Sequence, residues 1–286
     1  MPDWSQVSVI IPAFNEAASI GRVVQDISAA AAGAELIVVD DGSTDNTGDV
    51  ARAAGMNVLR HPYNIGNGAA IKTAARASTR PILVFLDGDR QHEPGDLPKL
   101  VDALDGYEMA VGARTGATEE HWLRRLGNFW MNRLASFLAE MPIADLTSGF
   151  RAVRRERFME FLHLLPNRYS YPTTITLCMI RAGYPVKYVP LTHARRRRRG
   201  RSHIRPLRDG LRFVILMLRV IMLFDPLKIF LPISLALVTL GAVLFGYDLI
   251  TLGRVEESVV VIAVVACLTF LFGLLADQLA LLRRSR

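Results

Sequence analysis

The sequence predicts an α/β domain built on a mostly parallel sheet, followed by a membrane-spanning helical hairpin. Short runs rich in β-branched residues alternate with Ala-rich segments of helical length through the first 113 residues. Because these strands are almost continuously apolar, they indicate a parallel sheet with helices on both faces. The predicted strands are 7–12, 35–40, 57–60, 81–87 and 107–113, and the predicted helices are 17–33, 46–54, 66–78 and 96–105.

The pattern continues less regularly to about residue 205. Residues 121–139 have a helical pattern, and the segment 145–153 reads as a loop that leads into a short strand. A helix is expected over 171–183, ended by Gly183, with the strand VKYVP after it.

The C-terminal part has the composition of a membrane anchor. Residues 229–247 and 258–276 are each 19 residues long and carry no charge, which is enough to cross a hydrocarbon core about 30 Å thick. Between 206 and 224, arginines recur among apolar residues, as in a helix lying in the membrane interface. We therefore expect a cytoplasmic domain over 1–205, an interfacial amphipathic helix over 206–225 and a two-helix transmembrane hairpin over 226–286.

The distribution of arginine predicts the orientation of the hairpin. Arginines crowd residues 195–201 before the first span and recur at 283–286 after the second, whereas the loop between the spans holds three acidic residues and one arginine. By the positive-inside rule, both ends of the chain face the cytoplasm. The first residues also lack the pattern of a cleaved signal peptide. The expected location is the cytoplasmic membrane, as a multi-pass protein.

The net charge of +7 and the isoelectric point of about 9.8 favour partners that carry phosphate. The basic run over 193–205 abuts the predicted interfacial helix, so it is interpreted as a contact with anionic lipid, and Arg201 is a candidate to touch substrate phosphate. Nucleic acid is not expected as a partner.

Cys178 and Cys267 are predicted to lie in different environments, which excludes a disulfide framework and a zinc site.

Acidic residues follow two of the predicted strands. Asp87 and Asp89 flank Gly88 directly after a strand, and Asp40 and Asp41 follow another. The carboxyl ends of parallel strands meet at one edge of a sheet, where ligands bind. Carboxylates there suit Mg²⁺ or Mn²⁺, which bridge to substrate phosphates. A plain Asp-Gly-Asp turn is the alternative for residues 87–89.

Asp40 and Asp41 have a structural alternative as well, an Asx-type turn with Ser43 or Asp45 capping the helix that starts near Asn46. We expect capping by Asp45. For the adjacent pair a turn alone is insufficient, since two neighbouring carboxylates repel each other unless a ligand such as a ribose or a base edge uses them. The Gly-rich stretch 64–74 lacks the third glycine of a dinucleotide fingerprint, and it is interpreted as a helix start that packs near the nucleotide.

Six ordered motifs together resemble the family 2 glycosyltransferases, which have the GT-A fold. They are VSVIIPAFNEAASI, VVDDGSTDNT, NIGNGAAIKTA, FLDGDRQHEPGDL, VGAR and DLTSGFR. More narrowly, residues 6 to about 205 and the two spans resemble the polyprenyl-phosphate glycosyltransferases, the group that includes dolichyl-phosphate mannose synthase.

The resemblance implies roles for particular residues. The nucleoside of the donor would be held by Pro12, Phe14, Glu16, Asp40 and Asp41, and its diphosphate also by Asp87. The metal ligands would be Asp87, Asp89 and Gln91, with Asp89 also in the catalytic set. Arg114, Arg125, Ser148 and Arg151 match positions around the acceptor phosphate, although Arg125 has the alternative of a solvated helix face. Arg90, Thr173 and Thr174 depart from common family residues, and the two threonines leave the sugar undetermined.

The sequence thus predicts an enzyme that moves one hexose from a nucleotide sugar, of the UDP-glucose or GDP-mannose type, to undecaprenyl or dolichyl phosphate. The transfer would depend on Mg²⁺ or Mn²⁺ and invert the anomeric carbon, the latter by resemblance alone. Two alternatives stay open, a processive polysaccharide synthase and a non-catalytic, membrane-anchored protein that binds nucleotide sugars. A homo-oligomer is expected only by analogy.

Overall fold

The fold was analysed in a computed structural model, which describes residues 2–86, 88, 93–114, 133, 136, 140–168, 170–191, 215 and 218–284. The chain divides into two compact units, Met1–Arg205 and Pro206–Arg286. The cytoplasmic and interfacial positions expected for 1–205 and 206–225 stay predictions.

The first unit is built on a seven-stranded sheet with the spatial order β3-β2-β1-β4-β6-β5-β7. Its strands are β1 Val7–Ala13, β2 Glu35–Asp40, β3 Asn57–Arg60, β4 Ile82–Phe85, β5 Met109–Arg114, β6 Arg151–Arg154 and β7 Val186–Leu191. Neighbouring strands run parallel except at β6, which is antiparallel to both β4 and β5. The predicted mostly parallel α/β sheet is therefore confirmed, and the reversed strand is a feature that the sequence pattern did not predict.

Six helices of the described residues connect the strands. They are α1 Ile20–Ala30, α2 Thr47–Ala53, α3 Asn67–Ala77, α4 Leu97–Asp102, α5 Arg155–Glu160 and α6 Tyr171–Arg181, with 3₁₀ turns at Trp4–Gln6, Pro94–Asp96 and Leu162–Leu164. The first four helices fall inside the predicted ranges. Gly183, at φ 83°, follows α6 as expected of a residue that ends a helix.

The core lies on both faces of the sheet because strand side chains alternate between faces. Val7, Val9 and Ile11 belong to a buried apolar cluster that also contains residues of α1 and α4. Ile10 is buried on the opposite face, and α3 packs on β1 and β2. With both faces covered, only the strand ends are open to bind a ligand.

The second unit is a hairpin of two long apolar helices, α7 Leu227–Thr251 and α8 Glu257–Arg284. Each helix is long and apolar enough to span a membrane. The mean hydropathy of the most apolar window is 2.3 in α7 and 3.0 in α8. Residues 218–224 are also helical, and most of the predicted interfacial helix lies outside the described residues.

The two helices contact each other closely along their length. A Cβ atom placed on Gly273 would lie 2.6 Å from Cβ of Phe230, and the Ser234 hydroxyl donates a hydrogen bond to the Ala266 carbonyl at 3.0 Å. At the turn, a carboxylate oxygen of Asp248 accepts the amide of Glu256 at 2.9 Å. These hydrogen bonds of polar side chains thus fix the register of the two helices, which apolar packing alone would not determine.

Candidate active site

The register of the strands brings those predicted site residues that the structure describes at the ends of β1, β2, β4 and β6 to one edge of the sheet, which we term the exit edge. Ala13 pairs with Asp40, Asp40 pairs with Arg60, and Ile10 pairs with Phe85, so β1 to β4 all end there. Because β6 is reversed, its first residue, Arg151, pairs with Phe85 and begins at the same edge. The sequence-based expectation that several strand ends share one edge is met for the described residues.

The loops that follow β1 and β2 are joined by side-chain hydrogen bonds. The amides of Asn15 and Glu16 donate to the hydroxyls of Ser43 and Thr47, at 3.0 and 2.8 Å. In return, Oδ1 of Asn15 accepts the Thr44 amide at 2.9 Å. Asn15 adopts a positive φ of 55°, a conformation that asparagine tolerates better than most residues. The two loops therefore form one ordered rim, with half-buried Glu16 in it and Phe14 exposed beside it.

Asp40, the last residue of β2, is fully buried rather than open to a ligand. Its Oδ1 accepts the amide of Ser43 at 2.8 Å, which closes the turn after the strand. Its Oδ2 lies 3.5 Å from Nε of Arg60, a half-exposed side chain. A Cβ atom on Gly48 would lie only 2.7 Å from that oxygen, so α2 packs directly against the carboxylate.

Asp41 faces a different set of protein groups. Its Oδ1 lies 2.7 Å from Nδ1 of His61 and accepts the Ile65 amide at 3.1 Å, and its Oδ2 accepts the Gly66 amide at 2.8 Å. The other ring nitrogen of His61 lies 2.9 Å from the hydroxyl of Thr73 in α3. Asp41 therefore fastens the loop between β3 and α3 to the end of β2.

These contacts correct the reasoning that singled out the adjacent aspartates. Each carboxylate has its own protein partners, so the repulsion between the two does not by itself require a ligand. Contact with a nucleoside stays a prediction for both. As the structure stands, Asp40 and Asp41 shape the loops that a nucleoside would touch.

Asp45 precedes Asn46, the N-cap of α2, and its side chain bonds the first amide of the helix. Its Oδ1 accepts the amide of Thr47 at 3.0 Å, and its Oδ2 accepts the amide of Ala17 at 3.2 Å, which ties the helix start to the loop after β1. Partial burial opposes ionisation, but hydrogen bonds from the hydroxyl and amide of Thr47 outweigh it and hold the pKa of Asp45 below its usual value.

Gly88 marks the exit of β4 next to the end of β1. The carbonyl of Gly88 accepts a hydrogen bond from the Ser19 hydroxyl at 3.2 Å, and a Cβ atom on Gly88 would lie 3.3 Å from the carbonyl oxygen of Pro12. The predicted metal ligands Asp87, Asp89 and Gln91 lie outside the described residues. Among the residues that the structure does describe, no group of three or more His, Cys, Asp or Glu could hold a metal ion.

The DLTSGFR motif forms a tight turn at the start of β6. One carboxylate oxygen of Asp145 accepts the amides of Thr147 and Ser148, at 3.0 and 3.1 Å. The carbonyl of Ser148 accepts a hydrogen bond from the guanidinium of Arg151. The structure therefore brings the predicted residues Ser148 and Arg151 together, through a backbone oxygen.

Arg151 is fully buried and serves the fold. Its Nη1 donates to the Pro172 carbonyl at 2.9 Å and to the Thr176 hydroxyl at 3.0 Å, and its guanidinium lies 5.9 Å from the centre of the Tyr171 ring. In the described contacts Arg151 has a positioning role that fastens the motif to α6, and its direct contact with the acceptor stays a prediction.

The other two predicted arginines are Arg114 and Arg125. Arg114 is the last residue of β5, at the exit edge, where it pairs with Leu191. Arg125 lies outside the described residues. Contacts of both side chains with the acceptor stay predictions.

The two threonines that depart from common family residues are buried in the first turn of α6. The hydroxyl of Thr174 donates to the carbonyl of Ser170 at 3.1 Å, and that of Thr173 to the carbonyl of Leu146 at 3.4 Å. Nearby, burial raises the pKa of Tyr188, and Arg151 opposes the rise. The hydroxyls of both threonines are therefore bonded to the backbone within a packed interior.

The glycines of NIGNG serve packing, as the sequence indicated. Cβ atoms on Gly66 and Gly68 would lie 2.6 Å from the Asn167 carbonyl oxygen and 2.0 Å from the Pro166 carbonyl oxygen. The amides of Gly68 and Ala69 donate to the carbonyls of Arg168 and Asn167, at 3.2 and 2.8 Å. These amides are used within the protein and do not form a phosphate cradle.

Sequence reasoning missed His61, which orients Asp41, and Arg60, which neutralises Asp40. Both belong to the short strand β3 and the loop after it, where no motif marks them. A signal was available in the burial expected of the adjacent aspartates, since a buried carboxylate requires a cation or several donors. Tyr63, an exposed aromatic residue in the same loop, was also missed.

Comparison with known proteins assigns this chain to a protein family. Residues 8–162 match Glycosyl transferase family 2, and residues 225–282 match the GtrB C-terminal hairpin. The chain belongs to glycosyltransferase family 2, and it is a glycosyltransferase. The predicted family, enzyme class and fold are thereby confirmed.

Curated relatives include a dolichyl-phosphate hexose transferase from Haloferax volcanii. It is 33% identical to this chain, and the match covers 72% of this chain and 90% of the relative. A polyprenol monophosphomannose synthase from Mycolicibacterium smegmatis is 33% identical, with coverage of 66% and 77%. Glycosyltransferase AglJ from Haloferax volcanii is 28% identical over 100% of this chain and 97% of its own length.

Among solved structures, the chain is similar to glucosyl-3-phosphoglycerate synthase from Mycobacterium tuberculosis in complex with Mn²⁺, uridine diphosphate and glucosyl-3-phosphoglycerate. The TM-score is 0.60 at 25% identity, and the match covers 77% of this chain and 85% of the synthase. That enzyme binds a nucleoside diphosphate together with a divalent cation.

Proposed function

We propose that this enzyme transfers a single hexose from a nucleotide sugar to a polyprenyl phosphate at the cytoplasmic face of a membrane. The observation that carries the proposal is the combination of a family 2 catalytic unit with a hairpin of two membrane-length helices in one chain. Relatives that act on dolichyl and polyprenol phosphates support the same acceptor class.

The donor would bind at the exit edge. Phe14 and Glu16 border the ordered rim after β1 and β2, which supports their assignment to the nucleoside, while Asp40 and Asp41 hold that rim in shape from within. The residues around Gly88 follow the adjacent strand β4, which supports a diphosphate next to the nucleoside.

A divalent cation fits the donor set predicted after β4. Asp87, Asp89 and Gln91 offer only oxygen atoms, the ligands preferred by Mg²⁺ and Mn²⁺, and the buried Gly88 lets the backbone between the aspartates pass close to β1. When bound, the cation would act as a Lewis acid that stabilises the negative charge of the departing diphosphate. The choice between Mg²⁺ and Mn²⁺ is left to the assay below.

The acceptor needs little activation by the protein. A phosphate monoester has a second pKa near 6, so its oxygen is largely ionised at neutral pH and can attack the anomeric carbon directly. That bond forms as the bond from the anomeric carbon to the diphosphate breaks, and the nucleoside diphosphate leaves with the electron pair. Attack from the opposite side would invert the anomeric carbon.

Arginines would offset the repulsion between acceptor and donor. Two unit charges about 4 Å apart repel by about 4 kcal/mol at an effective dielectric constant of about 20. Arg114, at the exit end of β5, and Arg125 are the candidates to neutralise and orient the acceptor phosphate. Arg151 would contribute by fixing the turn that contains Ser148.

A radiolabel transfer assay tests this function. The full chain in detergent is incubated with labelled UDP-glucose, UDP-GlcNAc or GDP-mannose, with undecaprenyl or dolichyl phosphate, and with Mg²⁺ or Mn²⁺. We expect one labelled sugar per lipid, with inverted configuration, and loss of transfer in Asp87→Ala and Asp89→Ala proteins that keep the wild-type circular dichroism. Full activity of both variants in the presence of a chelator would contradict the metal role.

The same assay separates the alternatives. Lipid products that carry a growing chain of sugars would indicate a processive synthase, and binding of nucleotide sugars without any turnover would indicate a non-catalytic binding protein. Neither alternative is supported by a specific observation in the described residues.

A further inference from the structure

We propose that Tyr63 provides a second aromatic contact, in addition to Phe14, for the nucleobase of the donor. This inference rests on the proposed function and deepens it, because it names the part of the nucleotide that the loop between β3 and α3 would recognise. Tyr63 belongs to none of the motifs that carry the family resemblance.

The first observation is exposure. Among the described residues of the first unit, Phe14 and Tyr63 are the two exposed large apolar side chains, at 42% and 67%. Most large apolar side chains of an α/β unit are buried, and exposed aromatic side chains at the strand ends are therefore candidates for contact with a ligand. Both residues lie at the exit edge, where ligands bind in sheets of this kind.

The second observation is that one loop, residues 42–44, contacts both the backbone of Tyr63 and the residue next to Phe14. Gly42 adopts a φ of 72°, and a Cβ atom there would lie 2.3 Å from the carbonyl carbon of Tyr63. Two residues further on, the amide of Thr44 donates to Asn15, the neighbour of Phe14, at 2.9 Å. The same three-residue stretch of chain thus brings the loop that contains Tyr63 and the loop that contains Phe14 together at the exit edge.

The third observation is that Tyr63 lies in a fixed segment. His61 precedes it, with its amide donating to the carbonyl of Asp40 at 2.9 Å. Ile65 and Gly66 follow it, with their amides donating to the carboxylate of Asp41 at 3.1 and 2.8 Å. The exposure of Tyr63 is therefore built into the loop by the buried aspartates, and is not a consequence of a loosely held chain.

The chemistry points to a flat aromatic ligand. Aromatic side chains contact nucleobases through their faces, and this interaction does not depend on which base is present. Tyr63 would therefore favour a nucleoside diphosphate over a bare diphosphate without choosing between uracil and guanine. The hydroxyl of tyrosine is not required for such a contact.

Equilibrium binding to the full chain in detergent tests the proposal. Isothermal titration with UDP, GDP and inorganic pyrophosphate, each in Mn²⁺, is compared for wild type, Tyr63→Ala and Tyr63→Phe. We expect Tyr63→Ala to weaken UDP and GDP binding by about tenfold, pyrophosphate binding to stay unchanged, and Tyr63→Phe to stay within about twofold of wild type. Tyr247→Ala, which removes a tyrosine that is 60% exposed in α7, is the matched control and should bind as wild type.

Three results would overturn the inference. Equal binding of nucleotides by wild type and Tyr63→Ala would show that the side chain does not contact the base. Equal losses for nucleotides and pyrophosphate would indicate a disturbed loop instead. Wild-type protein that binds neither UDP nor GDP would contradict the proposed donor together with this inference, whereas the first two results leave the proposed function intact.

Discussion

The two units of this chain place the same apolar residue types in opposite positions. In the described residues of the first unit, the large aliphatic side chains are buried around the sheet and the exposed large apolar residues are two aromatics at the exit edge. In the hairpin, leucines, valines and phenylalanines are exposed along both helices, and the buried polar side chains are Ser234 and Asp248. Each arrangement suits a different solvent, water in one case and hydrocarbon in the other.

The atoms that glycines approach closely also differ between the two units. In the first unit, glycines let backbone meet backbone, as where Gly68 approaches the carbonyl of Pro166. In the hairpin, Gly273 approaches the side chain of Phe230, which is not part of a backbone hydrogen bond. We therefore expect the hydrogen-bonded interior of the first unit to tolerate added atoms less well than the apolar helix pair, and the following predictions measure that difference.

Arg151→Met should have the largest effect on stability. The substitution leaves the carbonyls of Ser148 and Pro172 and the hydroxyl of Thr176 without their cationic donor. Breaking such a buried charged network costs about 3–5 kcal/mol. We expect the thermal midpoint of the first unit, followed by circular dichroism, to fall by about 10 °C.

Arg154→Met is the control for that variant, because Arg154 lies in the same strand with a side chain that is 46% exposed. It should change stability by less than about 1 kcal/mol. An unchanged midpoint for Arg151→Met, together with a raised KM for the lipid phosphate, would support the direct contact that the sequence indicated.

Gly68→Ala should destabilise the first unit by about 1–3 kcal/mol. Alanine is the better helix former and would otherwise stabilise α3 by about 1 kcal/mol. However, its Cβ atom would lie 2.0 Å from the carbonyl oxygen of Pro166, which cannot move without breaking the adjacent hydrogen bonds. The measurement is the thermal midpoint, with Gly95→Ala as a control, since nothing lies within 4 Å of a Cβ atom there. Equal midpoints for the two variants would contradict close packing of α3.

Much of the first unit was predictable from the sequence, for a physical reason. Strands such as β2 and helices such as α3 are specified by local apolar patterns, and their order along the chain implies a parallel sheet. The reversal of β6 was not predictable, because a strand of four residues carries no signal of its direction. Direction depends on which neighbours it meets, and that is decided by tertiary packing.

The position of the candidate site was more predictable than the contacts of its side chains. The strand pattern placed Asp40 at the end of a strand that reaches the exit edge, but it did not show that its side chain turns inward. A buried carboxylate and a ligand-binding one look alike in sequence. Partners such as His61 and Arg60 come from distant strands and become visible only when the sheet is assembled.

Gly273→Ala should have a smaller effect, confined to the hairpin. Its Cβ atom would lie 2.6 Å from Cβ of Phe230, so α7 and α8 must separate slightly, and we expect a cost of about 1 kcal/mol. Unfolding in mixed micelles with increasing SDS measures it. Gly246→Ala, with nothing within 4 Å of the added atom, is the control. A cost for Gly273→Ala that exceeds that of Gly68→Ala would contradict the proposed difference between the units.

The smallest effect is expected at Asp45, which fastens the start of α2 from an exposed position. Asp45→Ala removes the acceptor for the Thr47 amide and should lower the free energy of unfolding by about 0.5 kcal/mol at neutral pH. Asp45→Asn keeps an acceptor for the Thr47 amide but cannot ionise, so it isolates the contribution of the charge.

The pH dependence of that contribution follows from the lowered pKa of Asp45. In the unfolded chain, an aspartate titrates at about 3.9. Because the folded pKa is lower, the charge stabilises the fold above the unfolded value, and this stabilisation is lost as the pH falls through the folded value. The difference in midpoint between wild type and Asp45→Asn should therefore be constant from about pH 7 to 5 and shrink below about pH 4. A difference that persists unchanged to about pH 3 would show that the ionised carboxylate does not hold the two loops together.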